Sequence, residues 1–108
     1  MRRSLERLLA AHGFEAKGFD SAEAFLAQLT PIQVDCLVLD IQLEGISGID
    51  LRRRLTASGS RLPVIFITAM DDEEQELEAV DVGCVAYLRK PFSAKLLLDA
   101  IKQALADS

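Results

Sequence analysis

Three apolar runs in this 108-residue chain are each followed closely by a residue of a different chemical kind. Asp40 closes the run from Cys36 to Leu39, Thr68 closes the run from Pro63 to Ile67, and Lys90 comes just after the run from Val85 to Leu88. If the runs are neighbouring strands, a carboxylate, a hydroxyl and an ammonium meet at one edge. A carboxylate exposed at a strand end can attack a phosphoryl group as a nucleophile and become an acyl phosphate. The negative charge then sits on three equatorial oxygens, which a lysine can meet as a point charge and a hydroxyl as a hydrogen-bond donor, with Mg²⁺ normally neutralising the rest. Each residue alone has a plainer explanation. An aspartate after a strand is usually a turn or cap residue, a threonine can satisfy a backbone carbonyl, and most lysines are solvated. What singles these three out is their joint placement, with Gly48 eight residues after Asp40, Tyr87 three residues before Lys90, and Pro91 directly after it.

The elements that position them follow from periodicity. Leu5, Leu8 and Leu9 recur at helical spacing ahead of Gly13, a residue that tolerates the positive φ of a helix terminus. Phe14 to Phe19 alternates weakly as an edge strand would, and Asp20 with Glu23 forms a capping-box pattern for a helix that Pro31 stops near Thr30. Continuous apolar runs such as Cys36 to Leu39, Pro63 to Ile67 and Val85 to Leu88 are the signature of parallel strands buried on both faces. Between them, a loop from Ile41 to Ser47 leads to a helix with Ile49, Leu51 and Leu55 on one side and Arg52, Arg53 and Arg54 towards solvent, ended by Gly59. The acids from Asp71 to Glu78 suit a helix N-terminus, and Leu96, Leu97, Ile101 and Leu105 mark a last amphipathic helix. Strands alternating with helices imply an α/β sheet with helices on both faces, and such sheets carry their chemistry at the carboxyl ends of the strands.

Composition narrows the partners. The chain is long enough for one domain with one modest core. Seventeen acids against twelve bases, a formal charge of −5, is the wrong sign for neutralising nucleic-acid phosphates, so direct nucleic-acid binding by this segment is not expected. Cys36 and Cys84 lie in apolar surroundings without metal-ligand spacing and read as free thiols of a reducing compartment. No run approaches the roughly eighteen apolar residues of a membrane helix, and the start of the chain lacks a signal-peptide pattern. The expectation is a cytoplasmic protein with no membrane partner.

The segments LVLDIQLEGISGIDL, PVIFITAM and GCVAYLRKPF resemble, in order and spacing, the three signatures of the receiver domain of bacterial two-component response regulators. The helix before Pro31 and the overall spacing are most similar to receivers of nitrogen-fixation and nodulation regulators, which are joined to helix-turn-helix output domains. The resemblance implies a flavodoxin-like, doubly wound parallel sheet. It implies that Asp40 is the phosphoacceptor, Thr68 the switch hydroxyl, Lys90 the phosphate-binding lysine and Tyr87 the aromatic switch, and that Lys90 and Pro91 are joined by a cis peptide. A histidine kinase is the implied phosphoryl donor, and an output domain or partner protein the implied receiver of the signal.

Receivers of this family open with a buried strand whose end delivers two adjacent acids to Mg²⁺. By that resemblance the receiver domain of residues 1–108 is expected to be incomplete at its N-terminus, lacking the first strand. Asp40 and the backbone carbonyl of Gln42 are then the remaining ligands, holding Mg²⁺ weakly or not at all. Glu44 stands where the family usually has proline, and Asp71 and Asp72, just beyond Thr68, are expected to be solvated or to cap a helix rather than to substitute for a missing acid, the alternative open to one of them. An empty strand slot implies either a shortened chain or a homodimer that pairs or exchanges elements. Two functions stay open: a phosphorylated receiver that switches a partner or output interface, and a phosphorylation-independent pseudo-receiver acting as an interaction module. An enzyme is not expected, because phosphatases of the haloacid-dehalogenase type carry a second aspartate two residues after the nucleophile, where this chain has Gln42.

Overall fold

The computed structural model describes residues 2–15, 35–41, 46–59, 62–69 and 72–106. In chain order they form α1 (Arg2–Ala11), β1 (Leu37–Asp40), α2 (Gly48–Ala57), β2 (Val64–Thr68), α3 (Glu73–Val82), β3 (Ala86–Arg89) and α4 (Ala94–Ala106). The three strands make one parallel sheet in the order β1-β2-β3, with Leu39 opposite Phe66 and Phe66 opposite Tyr87. The helix expected from Asp20 to Thr30 lies outside the described residues, as do Gln42, Glu44 and Asp71. Of the edge strand expected from Phe14 to Phe19, only Phe14 and Glu15 are described, and neither is in a strand.

Side chains alternate across a strand, so successive residues feed two different cores. On one face Leu37, Leu39, Val64 and Phe66 gather with Ile49, Leu51 and Leu55 of α2 and Ala79 of α3. On the other, Ile65 gathers with Leu97, Ala100 and Ile101 of α4, and Val38, Ala86 and Leu88 of the sheet and Leu8 and Leu9 of α1 close over it. Helices therefore cover both faces, as the strand–helix alternation requires. All five residues of β2 are buried, in keeping with its central place.

Three expectations are corrected here. The strand after Gly83 is not buried throughout: Ala86, Tyr87 and Leu88 are half-buried and Arg89 exposed, because β3 is the outer strand of the described sheet. Leu96 is 54% exposed and Leu98 buried in its stead. The buried stripe of α4 runs Leu97, Leu98, Ala100, Ile101, Ala104, and Leu96 falls on the far side of it. Arg52 does not point to solvent with Arg53 and Arg54. It is half-buried, donating from Nε to the Gly83 carbonyl at 3.1 Å and from a terminal nitrogen to the Leu62 carbonyl at 2.7 Å.

Helix ends follow local chemistry. At the end of α1 Gly13 takes φ +86°, Phe14 N–H donates to the Leu9 carbonyl at 2.9 Å and Gly13 N–H to that of Ala10 at 3.2 Å. This pair of bonds is a Schellman motif, and Phe14 and Leu9 join the same apolar cluster, as its hydrophobic contact requires. Ser47 and Asp72 cap α2 and α3, accepting from the backbone N–H of Asp50 and Gln75. Asp72 is thus a cap, as expected of it.

Candidate functional site

The carboxyl ends of the three strands lie at one edge of the sheet, and the chain is fastened as it leaves each of them. Ile41 N–H donates to the Ile67 carbonyl at 3.0 Å, and Lys90 N–H to the Thr68 carbonyl at 2.8 Å. Both bonds extend the ladders by one residue, which fixes where the backbone of Asp40 and Lys90 can be. Gly48 adds a third constraint. It is buried, donates its N–H to the Ile41 carbonyl at 3.1 Å, and sits so close that a Cβ there would lie 2.7 Å from the Asp40 carbonyl oxygen. The glycine spacing after Asp40 therefore reflects a close backbone approach.

Asp40 and Lys90, fifty positions apart, meet directly: Nζ of Lys90 donates to Oδ2 of Asp40 at 2.9 Å. Their side chains are 23% and 27% exposed, so the pair is half-desolvated yet open to a reactant. The Lys90–Pro91 peptide is cis, as the resemblance implied. Thr68 is fully buried at the end of β2. Its Oγ1 accepts from Nε2 of Gln75 at 3.1 Å, and the same nitrogen donates to the Tyr87 hydroxyl at 3.0 Å. The edge is thus one ion pair, Asp40 with Lys90, beside one hydroxyl pair, Thr68 with Tyr87, bridged by Gln75. Among the described residues no buried side-chain nitrogen or oxygen lacks a hydrogen-bond partner.

Gln75 was not singled out by the sequence. It lies in the first turn of a helix rich in acids, where a polar residue looks like any other. The signal that was present is its place three residues after Asp72, the position whose side chain turns back towards the helix start in a capping box. The thiols stay outside this edge. Cys36 and Cys84 are free and half-buried. Burial, with help from the Asp35 carboxylate, pushes Cys36 up to about 11; burial also raises Cys84, against a lowering by the Arg52 guanidinium. Both are therefore protonated and poorly nucleophilic at neutral pH.

Comparison with known proteins agrees with this geometry. The family model described as the response regulator receiver domain matches residues 1–102. The chain belongs to that family. Among curated relatives of this receiver, nodulation protein W of Bradyrhizobium diazoefficiens is 40% identical over 104 residues, 96% of this chain and 46% of that protein. The transcriptional regulatory protein FixJ of the same organism is 37% identical, over 97% of this chain and 51% of its own length. These names agree with the expected likeness to nodulation and nitrogen-fixation regulators. The receiver spans about half the length of the curated relatives it matches. Among solved structures, the crystal structure of FixJ-N superposes with a TM-score of 0.91 at 34% identity, covering 99% of this chain and 86% of that one. The response regulator StyR does so with a TM-score of 0.90 at 43% identity, covering 98% and 54%. The fold is accordingly that of a flavodoxin-like receiver, and the chain is a two-component signalling receiver.

Receivers of this family generally act as signalling modules rather than enzymes, work with histidine kinases and output domains, and bind Mg²⁺ at the phosphorylation site. Among the described residues no three His, Cys, Asp or Glu side chains gather where they would hold a metal. Asp40 by itself falls well short of the six oxygens such a cation takes, and Gln42 lies outside the described residues. Also among the described residues, no helix is long and apolar enough to cross a membrane.

Proposed function

We propose that residues 1–108 receive a phosphoryl group on Asp40 from a histidine kinase and convert it into a changed protein surface. The observation that carries this reading is the 2.9 Å contact between Lys90 Nζ and Asp40 Oδ2 at the carboxyl end of a parallel sheet. A carboxylate oxygen of Asp40 attacks phosphorus, the bond from phosphorus to the donor nitrogen breaks, and that nitrogen keeps the electron pair and takes a proton. Lys90, already beside the nucleophile, supplies positive charge to the phosphoryl oxygens without a long reach. Thr68, whose Oγ1 accepts from Gln75, turns its hydroxyl to donate to the phosphoryl group once that group is in place. Mg²⁺, where bound, supplies further charge neutralisation; Asp40 is the described side chain that would hold it.

The surface that responds is the one made by α3, β3 and α4. Tyr87 lies on it by way of β3, and Leu77, Val80 and Leu96 stand exposed on its helices. Its partner is an output domain or a second protein, with a second copy of the chain as a further partner. Relatives named transcriptional regulatory proteins are about twice as long, which favours a transcriptional output. A second reading is a pseudo-receiver whose interface works without phosphorylation; what favours it is that the described residues hold no group of three His, Cys, Asp or Glu side chains fit to bind a metal.

The test is incubation of the purified chain with Mg²⁺ and phosphoramidate, followed by intact mass. One phosphoryl adduct is expected, absent in Asp40→Asn. Folded protein that takes no adduct leaves the pseudo-receiver as the reading.

A further inference from the structure

Gln75 joins three elements through one atom. Its backbone N–H is held by the Asp72 side chain at the start of α3, and its amide nitrogen reaches both Thr68 at the end of β2 and Tyr87 within β3. A primary amide has two N–H groups, so one nitrogen can serve both hydroxyls at once. Each hydroxyl is thereby an acceptor towards Gln75. Thr68 is fully buried, so its oxygen exchanges this partner only for another good one.

We infer that Gln75 is a positioning residue that holds Thr68 and Tyr87 together in the resting conformation and sets how readily phosphoryl acceptance at Asp40 moves them. This rests on the reading of Asp40 as phosphoacceptor and Thr68 as its hydroxyl partner. When Thr68 turns to the phosphoryl oxygens, its buried hydroxyl gains a new partner and the Gln75 N–H loses one. The freed amide belongs to the first turn of α3 and still touches Tyr87, so one local exchange is felt by a helix and an aromatic ring. Helix α3 and β3 then respond together because they share Gln75. Two conformations separated by this bridge shift in population when it is removed.

The chain has one tyrosine and no tryptophan, so its intrinsic emission reads Tyr87 alone. Two variants set opposite expectations. Gln75→Leu removes both bonds and releases Thr68 from α3, and phosphoramidate labelling of Asp40 is expected to speed up about tenfold, the equilibrium shift that one to two net hydrogen bonds amount to. Acrylamide quenching of Tyr87 is expected to rise before any donor is added, and the change on adding donor to shrink. Gln75→Glu keeps the length but reverses the polarity: its carboxylate accepts from both hydroxyls, holds the Thr68 proton and slows labelling below wild type. Far-UV circular dichroism confirms that both variants are folded. A side chain of merely structural importance moves both variants the same way, and that result, or wild-type rates in both, overturns the inference. If wild type takes no phosphoryl group, the phosphoacceptor reading fails separately. Unchanged Tyr87 quenching in Gln75→Leu then overturns the inference as well, while increased quenching keeps the bridge and overturns its part in phosphoryl acceptance.

Discussion

Replacing Gly48 by alanine tests the close approach behind Asp40. The added Cβ would lie 2.7 Å from the Asp40 carbonyl oxygen and 3.2 Å from Ile41 Cα, whereas ordinary contact begins at 3.4 Å. Both obstacles are backbone, so neither can swing aside as a side chain does; the strand end or the helix start shifts by several tenths of an ångström. Overpacking of this kind costs about 1–3 kcal/mol. Against it stands the better helix propensity of alanine, about 1 kcal/mol at an interior position, and less here because Gly48 is the first residue of α2. The clash wins, by about 1–2 kcal/mol net, which for a domain near this size lowers Tm by about 5–10 °C. Gly59 is the control. It has φ +88° with nothing within 4 Å of a new Cβ, so alanine there costs about 1 kcal/mol through backbone strain alone. The assay is thermal unfolding of both variants alongside Asp40 labelling by phosphoramidate. Gly48→Ala is expected to lose stability and also to label more slowly, because the atom displaced is the nucleophile's own carbonyl; Gly59→Ala is expected to lose stability only. A Gly48→Ala protein as stable as wild type, labelling at the wild-type rate, would refute the reasoning.

Lys90→Met is expected to leave stability within about 1 kcal/mol, since the ion pair is partly solvated, while slowing Asp40 labelling at least tenfold; equal rates by intact mass would remove Lys90 from the chemistry. Arg52→Ala is expected to cost about 2 kcal/mol in urea unfolding through its two bonds to backbone carbonyls. Arg53→Ala, whose partners Asp50 and Glu78 are about half exposed, should stay within about 0.5 kcal/mol. Cys36, raised to about 11, is expected to react slowly with a disulfide reagent at pH 8 and about tenfold faster per pH unit above it. Its folded-state value exceeds the ordinary thiol value of 9.0, so the folded chain binds the extra proton and stability falls as pH rises from about 9 to 11. Rapid modification at pH 8 would contradict that burial.

What could be read in advance followed the strength of each local signal. The run from Val64 to Ile67 is apolar at every position, and the burial of β2 along its length, with Thr68 at its end, follows from it. The strand ending at Arg89 has the same apolar look, but its burial depends on what lies beyond it in the sheet, which a run of residues does not encode. Leu96, Leu97 and Leu98 are three equal leucines in a row; the stripe of α4 is settled by Ala100 and Ala104, whose small side chains carry little weight in a periodicity. Asp40, Thr68 and Lys90 were legible because strand ends converge in parallel sheets, and the Asp40–Lys90 contact is that convergence at atomic distance. Gln75 and Arg52 were not, since a hydrogen bond from a long polar side chain depends on neighbours remote in sequence, seven and twelve residues away for Gln75, ten and thirty-one for Arg52.

The two carbonyls that Arg52 holds, Leu62 and Gly83, precede β2 and β3, so this guanidinium secures the amino ends of strands whose carboxyl ends carry Thr68 and lead to Lys90. A five-residue strand places the two ends about 15 Å apart. Lifetime and message are thereby written at opposite poles of the domain. In a cell, a loss of about 1–2 kcal/mol changes protein abundance several-fold, so a change at Arg52 alters how many copies of the domain exist while each surviving copy still answers its stimulus as before. Selection acting on dosage therefore has a pole of its own, apart from the one that selection on signalling must conserve.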